Sequence, residues 1–155
     1  MEVKRIADQF YTAFAKGDAA AMTSFYADTI EFEDPVFGKL KGEKAKMMWH
    51  MLIERSKGNL KISHKVLEAT ENKVKVYWTA VYPFSKTGRI VTNQITASMV
   101  IENGKIIQHT DYFNLWMWTR QALGWKGFLF GWTPALQSKI RKQSKALLDS
   151  YPTKK

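Results

Sequence analysis

Apolar residues at Val3, Ile6, Ala7, Phe10, Tyr11 and Phe14 recur at spacings of three and four, which predicts an amphipathic helix at the start of the chain. Gly17 is placed to end it, and Asp18 to cap a short helix over 19–26. The period then changes to two. Ile30, Phe32, Asp34 and Val36 alternate with Glu31, Glu33 and Pro35, a short strand that carries a carboxylate on its apolar face. A third helix is predicted over 43–56, with Ala45, Met48, Trp49, Leu52 and Ile53 as its stripe and Gly58 closing it. From Leu60 onward the pattern is strand after strand: 60–69, 73–84, 89–101 and 105–113. Val74, Val76, Trp78, Ala80 and Tyr82 share one face, and Ile107, His109, Asp111 and Phe113 share another. Asn103-Gly104 signals a two-residue hairpin between the last two strands.

Helices followed by hairpin-linked strands predict an α+β domain with the helices on one face of the sheet. The remainder, residues 115–155, is read as a C-terminal helical extension packed on the domain formed by 1–114. Thr133 and Pro134 are a cap and first-turn proline for its last helix. Before them lies an aromatic loop, Gly124 to Trp132, expected to fold over the mouth of a pocket as a lid or to form a dimer contact, in preference to dipping into a membrane surface, which would need an extra partner. Apolar residues on both faces of the 89–101 strand, Ile90 and Val100 opposite Val91, Ile95, Met99 and Ile101, suggest that the outer face is covered as well, as in a homodimer.

Composition narrows the chemistry. The 155 residues are 45% hydrophobic and 25% charged, values of a globular domain. There is no cysteine, which excludes a disulfide framework and a thiolate metal site. His50, His64 and His109 have no metal-ligand spacing, and no glycine-rich loop links a strand to a helix, so neither metal nor cofactor is expected. An amphipathic N-terminus without a signal-peptide core, and no apolar run of about 18 residues, predict a soluble cytoplasmic protein with no membrane partner. The net charge is +10, and from Arg120 to the end eight basic residues face one acidic residue, Asp149. The lysines of the last helix follow a helical period without a nucleic-acid-binding motif, so they are read as a solvated outer face and nucleic acid is not expected as a partner.

Three stretches carry a family resemblance. Tyr11 to Asp18, Ser24 to Asp28, and Glu33-Asp34-Pro35-Val36 resemble the opening of ketosteroid isomerases. Gly104 to Asn114, with Asp111 directly before Tyr112-Phe113, resembles the terminal strand of SnoaL-like cyclases and limonene-epoxide hydrolases. The resemblance implies the cone of the nuclear transport factor 2-like fold: a curved antiparallel sheet wrapped around the N-terminal helices with an internal pocket. It implies Asp34 as general base and Asp111 as acid or base, with His109 beside it. Phe10, Phe14, Trp49, Trp78, Tyr82 and Phe113 would then bind the ligand. Departures are also legible. Phe10 stands where the isomerases place an oxyanion-stabilising tyrosine, and Ala97 or Ser98 where they place a protonated aspartate. The hydrolases' arginine and aspartate are replaced within Ile95 to Ser98. Two functions follow from the resemblance: a cofactor-independent isomerase or cyclase acting on a hydrophobic carbonyl compound, or a non-catalytic ligand-binding or protein-interaction homodimer.

Overall fold

The computed structural model describes residues 2–84 and 86–151. The first helix, α1 (Glu2–Ala15), buries Val3, Ile6, Ala7, Phe10, Tyr11, Ala13 and Phe14. Its buried arc is wide enough to enclose Phe10 and Tyr11 together, although successive residues on a helix diverge by about 100°. Asp18 caps α2 (Ala19–Thr23) by accepting from the Ala21 amide at 3.0 Å. The chain turns into β1 (Tyr26–Asp34), then the short β2 (Gly38–Lys41), which the sequence pattern does not show. After α3 (Glu43–Ser56) come β3 (Lys61–Ala69), β4 (Lys73–Pro83), β5 (Ile90–Glu102) and β6 (Lys105–Tyr112). Asn103 and Gly104 have φ of 52° and 76°, the left-handed pair that a two-residue hairpin turn requires.

The six strands form one curved, open sheet in the order β2-β1-β6-β5-β4-β3. It is mixed rather than purely antiparallel, because β1 runs parallel to β6. Hairpin signals are local and show only antiparallel neighbours. The pairing of the first strand with the last joins residues some eighty positions apart, and no local pattern encodes it. A register shift between Val100 and Ile101 also changes the phase of β6. Ile106, not Ile107, therefore joins His109 and Asp111 at the buried positions, and Ile107 is only half-buried.

The sheet's inner face, with Val74, Val76, Trp78, Ala80, Ile95, Ala97 and Met99, packs on α1 and α3 to form the main core. A smaller cluster of Val91, Leu115, Trp118 and Ala122 holds α4 (Leu115–Leu123) against β5. The extension continues through α5 (Trp125–Phe130) and α6 (Pro134–Asp149), whose N-terminus Thr133 and Pro134 cap as expected. Helix α6 returns to the main domain. Leu148 is buried in its core, Arg141 Nε donates to the Pro35 carbonyl at 3.0 Å, and Lys44 pairs with Asp149. One expectation fails here. The Gly124–Trp132 segment is not a lid over the interior but largely a short helix, and Trp125, Phe128, Phe130 and Trp132 turn their rings to solvent.

Candidate functional site

Alternation along β1 sends Tyr26, Ile30, Phe32 and Asp34 toward the helices, and β6 sends His109 and Asp111 the same way. Three of these residues and two tryptophans build a continuous hydrogen-bonded chain. Trp49 Nε1 donates to the Tyr26 hydroxyl at 2.8 Å, and that hydroxyl lies 2.7 Å from His109 Nδ1. His109 Nε2 lies 2.8 Å from Asp111 Oδ1, which also accepts from Trp78 Nε1 at 3.3 Å. Burial pushes the Tyr26 phenol well above its ordinary value, so Tyr26 keeps its proton and donates it to Nδ1. The imidazole proton then belongs on Nε2, facing Asp111. In this neutral tautomer every donor in the chain has an acceptor.

His109 is fully enclosed. The rings of Phe10, Phe32 and Trp49 have their centroids 5.6, 5.1 and 6.0 Å from it, Trp49 stacked and the other two edge-on. No face of the imidazole is open to a substrate. His109, a catalytic candidate beside Asp111 whose commoner reading is a satisfied core histidine, has both ring nitrogens hydrogen-bonded in the interior, one of them to Asp111. Asp111 itself is 4% exposed, and among the described residues its Oδ2 accepts no hydrogen bond.

Asp34 ends β1 at a half-buried position. Its Oδ1 accepts from the Val36 and Phe37 amides at 3.0 and 2.6 Å, the turn that an aspartate before proline favours. Burial is the largest influence on this carboxyl and raises its pKa to about 7. The Phe37 amide opposes the shift and the charge of Asp111 adds to it. The two carboxylates therefore share one electrostatic environment. The partly buried Val36, Tyr82 and Phe113 pack against both the main core and the smaller cluster under α4. The Tyr82 hydroxyl accepts from Trp118 Nε1 at 2.7 Å, and its pKa is raised by burial, with a contribution from Asp34.

The six residues expected to bind ligand thus separate into two groups. Phe10, Phe14, Trp49 and Trp78 pack on one another in the interior; Phe14 lies 5.1 Å from Trp49 and 5.4 Å from Trp78, ring to ring. Clefts of about 270 and 550 Å³ lie elsewhere, one lined by Lys39, Lys41, Lys44 and Lys145, the other by Trp125, Phe130 and Leu136. Tyr82 instead stands close enough to Asp34 to feel its charge, and Phe113 packs, like Tyr82, against both clusters at the α4 end of the cone.

Two residues were missed. Tyr26 was placed at the end of a helix; the exposed Asp28 and a register shift between Tyr26 and Glu31 break the alternation that would have tied it to Ile30, Phe32 and Asp34. Tyr11 is fully buried, 5.7 Å from Trp78 and stacked on His64. Among the described residues its hydroxyl is the buried side-chain polar atom without a hydrogen-bond partner. Burial, with the Asp111 charge, raises its pKa well above the usual phenol, so it remains a donor. Phe10 cannot stabilise an oxyanion, but its neighbour Tyr11 supplies an unspent hydroxyl to the same interior. Ala97, opposite Asp111 in the β5–β6 register, supplies no donor. Among the described residues no three His, Asp or Glu side chains are grouped to hold a metal, and no helix is long and apolar enough to cross a membrane.

This combination of an open mixed sheet, a helix-filled concavity and carboxylates on its inner face belongs to a recognisable class. Residues 7–109 match the model of the SnoaL-like domain, and the chain belongs to that family. It is similar in fold to a candidate polyketide cyclase from Xanthomonas campestris, with 19% identity and a TM-score of 0.63 over 77% of this chain and 96% of that one. TerC, crystallised with polyporic acid, is 17% identical, with a TM-score of 0.61 over 74% of this chain and 92% of its own. A protein with a ketosteroid isomerase-like fold from Catenulispora acidiphila, in complex with trimethylamine, is 13% identical, with a TM-score of 0.60 over 76% of this chain and 91% of its own. No curated protein matches this sequence.

Proposed function

We propose that this SnoaL-like protein binds a hydrophobic carbonyl compound at the α4 end of its cone and moves a proton on it with Asp34, without a cofactor. The observation that carries the reading is the state of Asp34: a half-buried carboxyl with a pKa of about 7, one oxygen fixed by two amides and the other without a hydrogen bond among the described residues. A base whose pKa lies near the working pH combines a populated ionised form with real basicity, which general acid–base catalysis requires. Val36, Tyr82 and Phe113 supply the apolar wall that a polyketide, terpenoid or steroid skeleton needs. Asp111, held by His109 and Trp78, keeps a second carboxylate near the first.

The close ring packing of Phe10, Phe14, Trp49 and Trp78 and the lack of a side-chain donor at Ala97 favour a second reading, a non-catalytic ligand-binding or protein-interaction homodimer. Both are separated by following deuterium uptake α to the carbonyl in D₂O across a panel of cyclic and β-dicarbonyl ketones by NMR. On the first reading exchange rises with pH through about 7, as Asp34 ionises, and Asp34→Asn lowers the rate by about 10²–10⁴-fold while ligands still shift the melting temperature. Ligand-induced melting shifts with equal exchange in wild type and variant would instead establish the non-catalytic binder.

A further inference from the structure

The aromatic segment of the extension is held in one orientation by its glycines. A Cβ at Gly127 would stand 1.9 Å from the Thr119 carbonyl oxygen, and one at Gly131 1.9 Å from the Thr119 hydroxyl. Helix α5 thus lies against α4 through the two positions that have no side chain, and its large side chains must point away. Trp125 is 67% exposed, Trp132 64%, Phe128 and Phe130 52% each, and Leu129 48%. These rings are not loose. Trp116 Nε1 donates to the Phe128 carbonyl at 3.1 Å, Trp132 Nε1 to the Leu129 carbonyl at 3.0 Å, and Gln137 Nε2 to the Gly131 carbonyl at 3.0 Å. An adjoining side of α4 packs inward, through Leu115, Trp118 and Ala122.

The charge of the segment that carries this patch has one sign. From 112 to 148 the sequence contains six basic residues and no acidic one. The Arg120 guanidinium lies 5.0 Å from the Trp116 ring and 5.3 Å from Phe128, and the Lys126 ammonium 5.8 Å from Trp125. Leu136 borders the same cleft as Trp125 and Phe130, and Lys139 follows it by three positions on the same helix face.

We propose that α5, with the flanking residues of α4 and α6, is a docking surface for an anionic lipid membrane. Trp125, Phe128, Leu129, Phe130 and Trp132 enter the boundary between headgroups and acyl chains, and Arg120, Lys126 and Lys139 meet lipid phosphates. Aromatic and aliphatic side chains bordered by cations are the composition that lies in such an interface. A second copy of the chain fits poorly, because a self-complementary contact sets these cations, which pair with no carboxylate among the described residues, against one another. Single-stranded nucleic acid would use rings as stacking platforms, whereas Leu129 and Met117 in the same patch have no face on which a base stacks. This surface is distinct from the Asp34 site, and its test is independent of catalysis.

The test is flotation of the full chain with phosphatidylcholine vesicles and with vesicles containing phosphatidylserine, alongside indole fluorescence. Binding to the anionic vesicles with a blue shift is expected, weakening about tenfold on neutral vesicles or in high salt. Trp125→Ser with Phe130→Ser, and separately Lys126→Glu, should each lower the affinity about tenfold with an unchanged melting temperature, since both act on exposed side chains. Failure to bind either vesicle overturns the proposal. So does a single-stranded oligonucleotide that binds and is not displaced by anionic vesicles, or a self-association that the serine variants abolish while vesicle binding is absent.

Discussion

At the scale of single residues, Asp34 has the clearest consequence because its two oxygens are in different circumstances. Oδ1 is committed to the turn amides, whereas burial withholds from the carboxylate the solvation it would have in the unfolded chain. The unfolded chain releases this proton near 3.8, and the folded protein holds it to about 7. Between those values the folded state binds more protons than the unfolded state, so stability falls as the pH rises. The contribution is complete below 3.8 and lost above about 7. An asparagine side chain at this position would keep an acceptor for the two amides but would not titrate. Asp34→Asn should therefore gain in melting temperature relative to wild type as pH rises through this window, with a constant gap above it. Parallel melting curves across the whole range would show that Asp34 is not perturbed. The Tyr26–His109–Asp111 chain is the complementary case, in which burial is matched by hydrogen bonds at each link.

Among the elements, α5 shows how absent side chains can fix the direction of present ones. The contact at Gly127 is with backbone, the Thr119 carbonyl and the Arg120 amide, which cannot rotate away as a flexible side chain can. Gly127→Ala should lower the unfolding free energy by about 1–3 kcal/mol in urea denaturation, the usual cost of an overpacked contact. Lys126→Ala beside it, at an exposed position, should change stability by less than about 0.5 kcal/mol. Equal effects of the two would mean that α5 is not docked on α4. The bulge in β6 acts through phase: one extra residue exchanges Ile107 for Ile106 at the buried position while leaving His109 and Asp111 inside.

For the molecule as a whole, α6 ties the extension to the sheet's far end. It contacts the turn after Asp34 through Arg141, and α3 through Lys44 and Asp149, and it inserts Leu148 into the main core at 1% exposure. The exposed ion pair contributes little, and the buried leucine contributes most of the anchoring. Leu148→Ala should cost about 2–5 kcal/mol in a single cooperative unfolding transition. A separate low-stability transition, with the main one unchanged, would show instead that the extension folds independently.

What the sequence determined by itself is whatever depends on neighbours along the chain. The periods of α1, α3 and β4, the caps at Asp18 and Thr133, and the Asn103-Gly104 turn are all local, and all were legible. So was the placement of Asp34 and Asp111 on apolar faces, because strand alternation alone settles it. Tertiary structure decided what depends on distant residues. The parallel pairing of β1 with β6 brings Tyr26 to His109, and the two lie 83 positions apart. It enclosed His109 between its two hydrogen-bond partners and brought Phe10, Phe14, Trp49 and Trp78 into ring-to-ring contact in the interior. It also left the α5 rings in solvent. Composition requires apolar surface to be covered on average, but steric contact at Gly127 and Gly131 fixes which side of a helix packs, and that is known only when α4 and α5 are brought together.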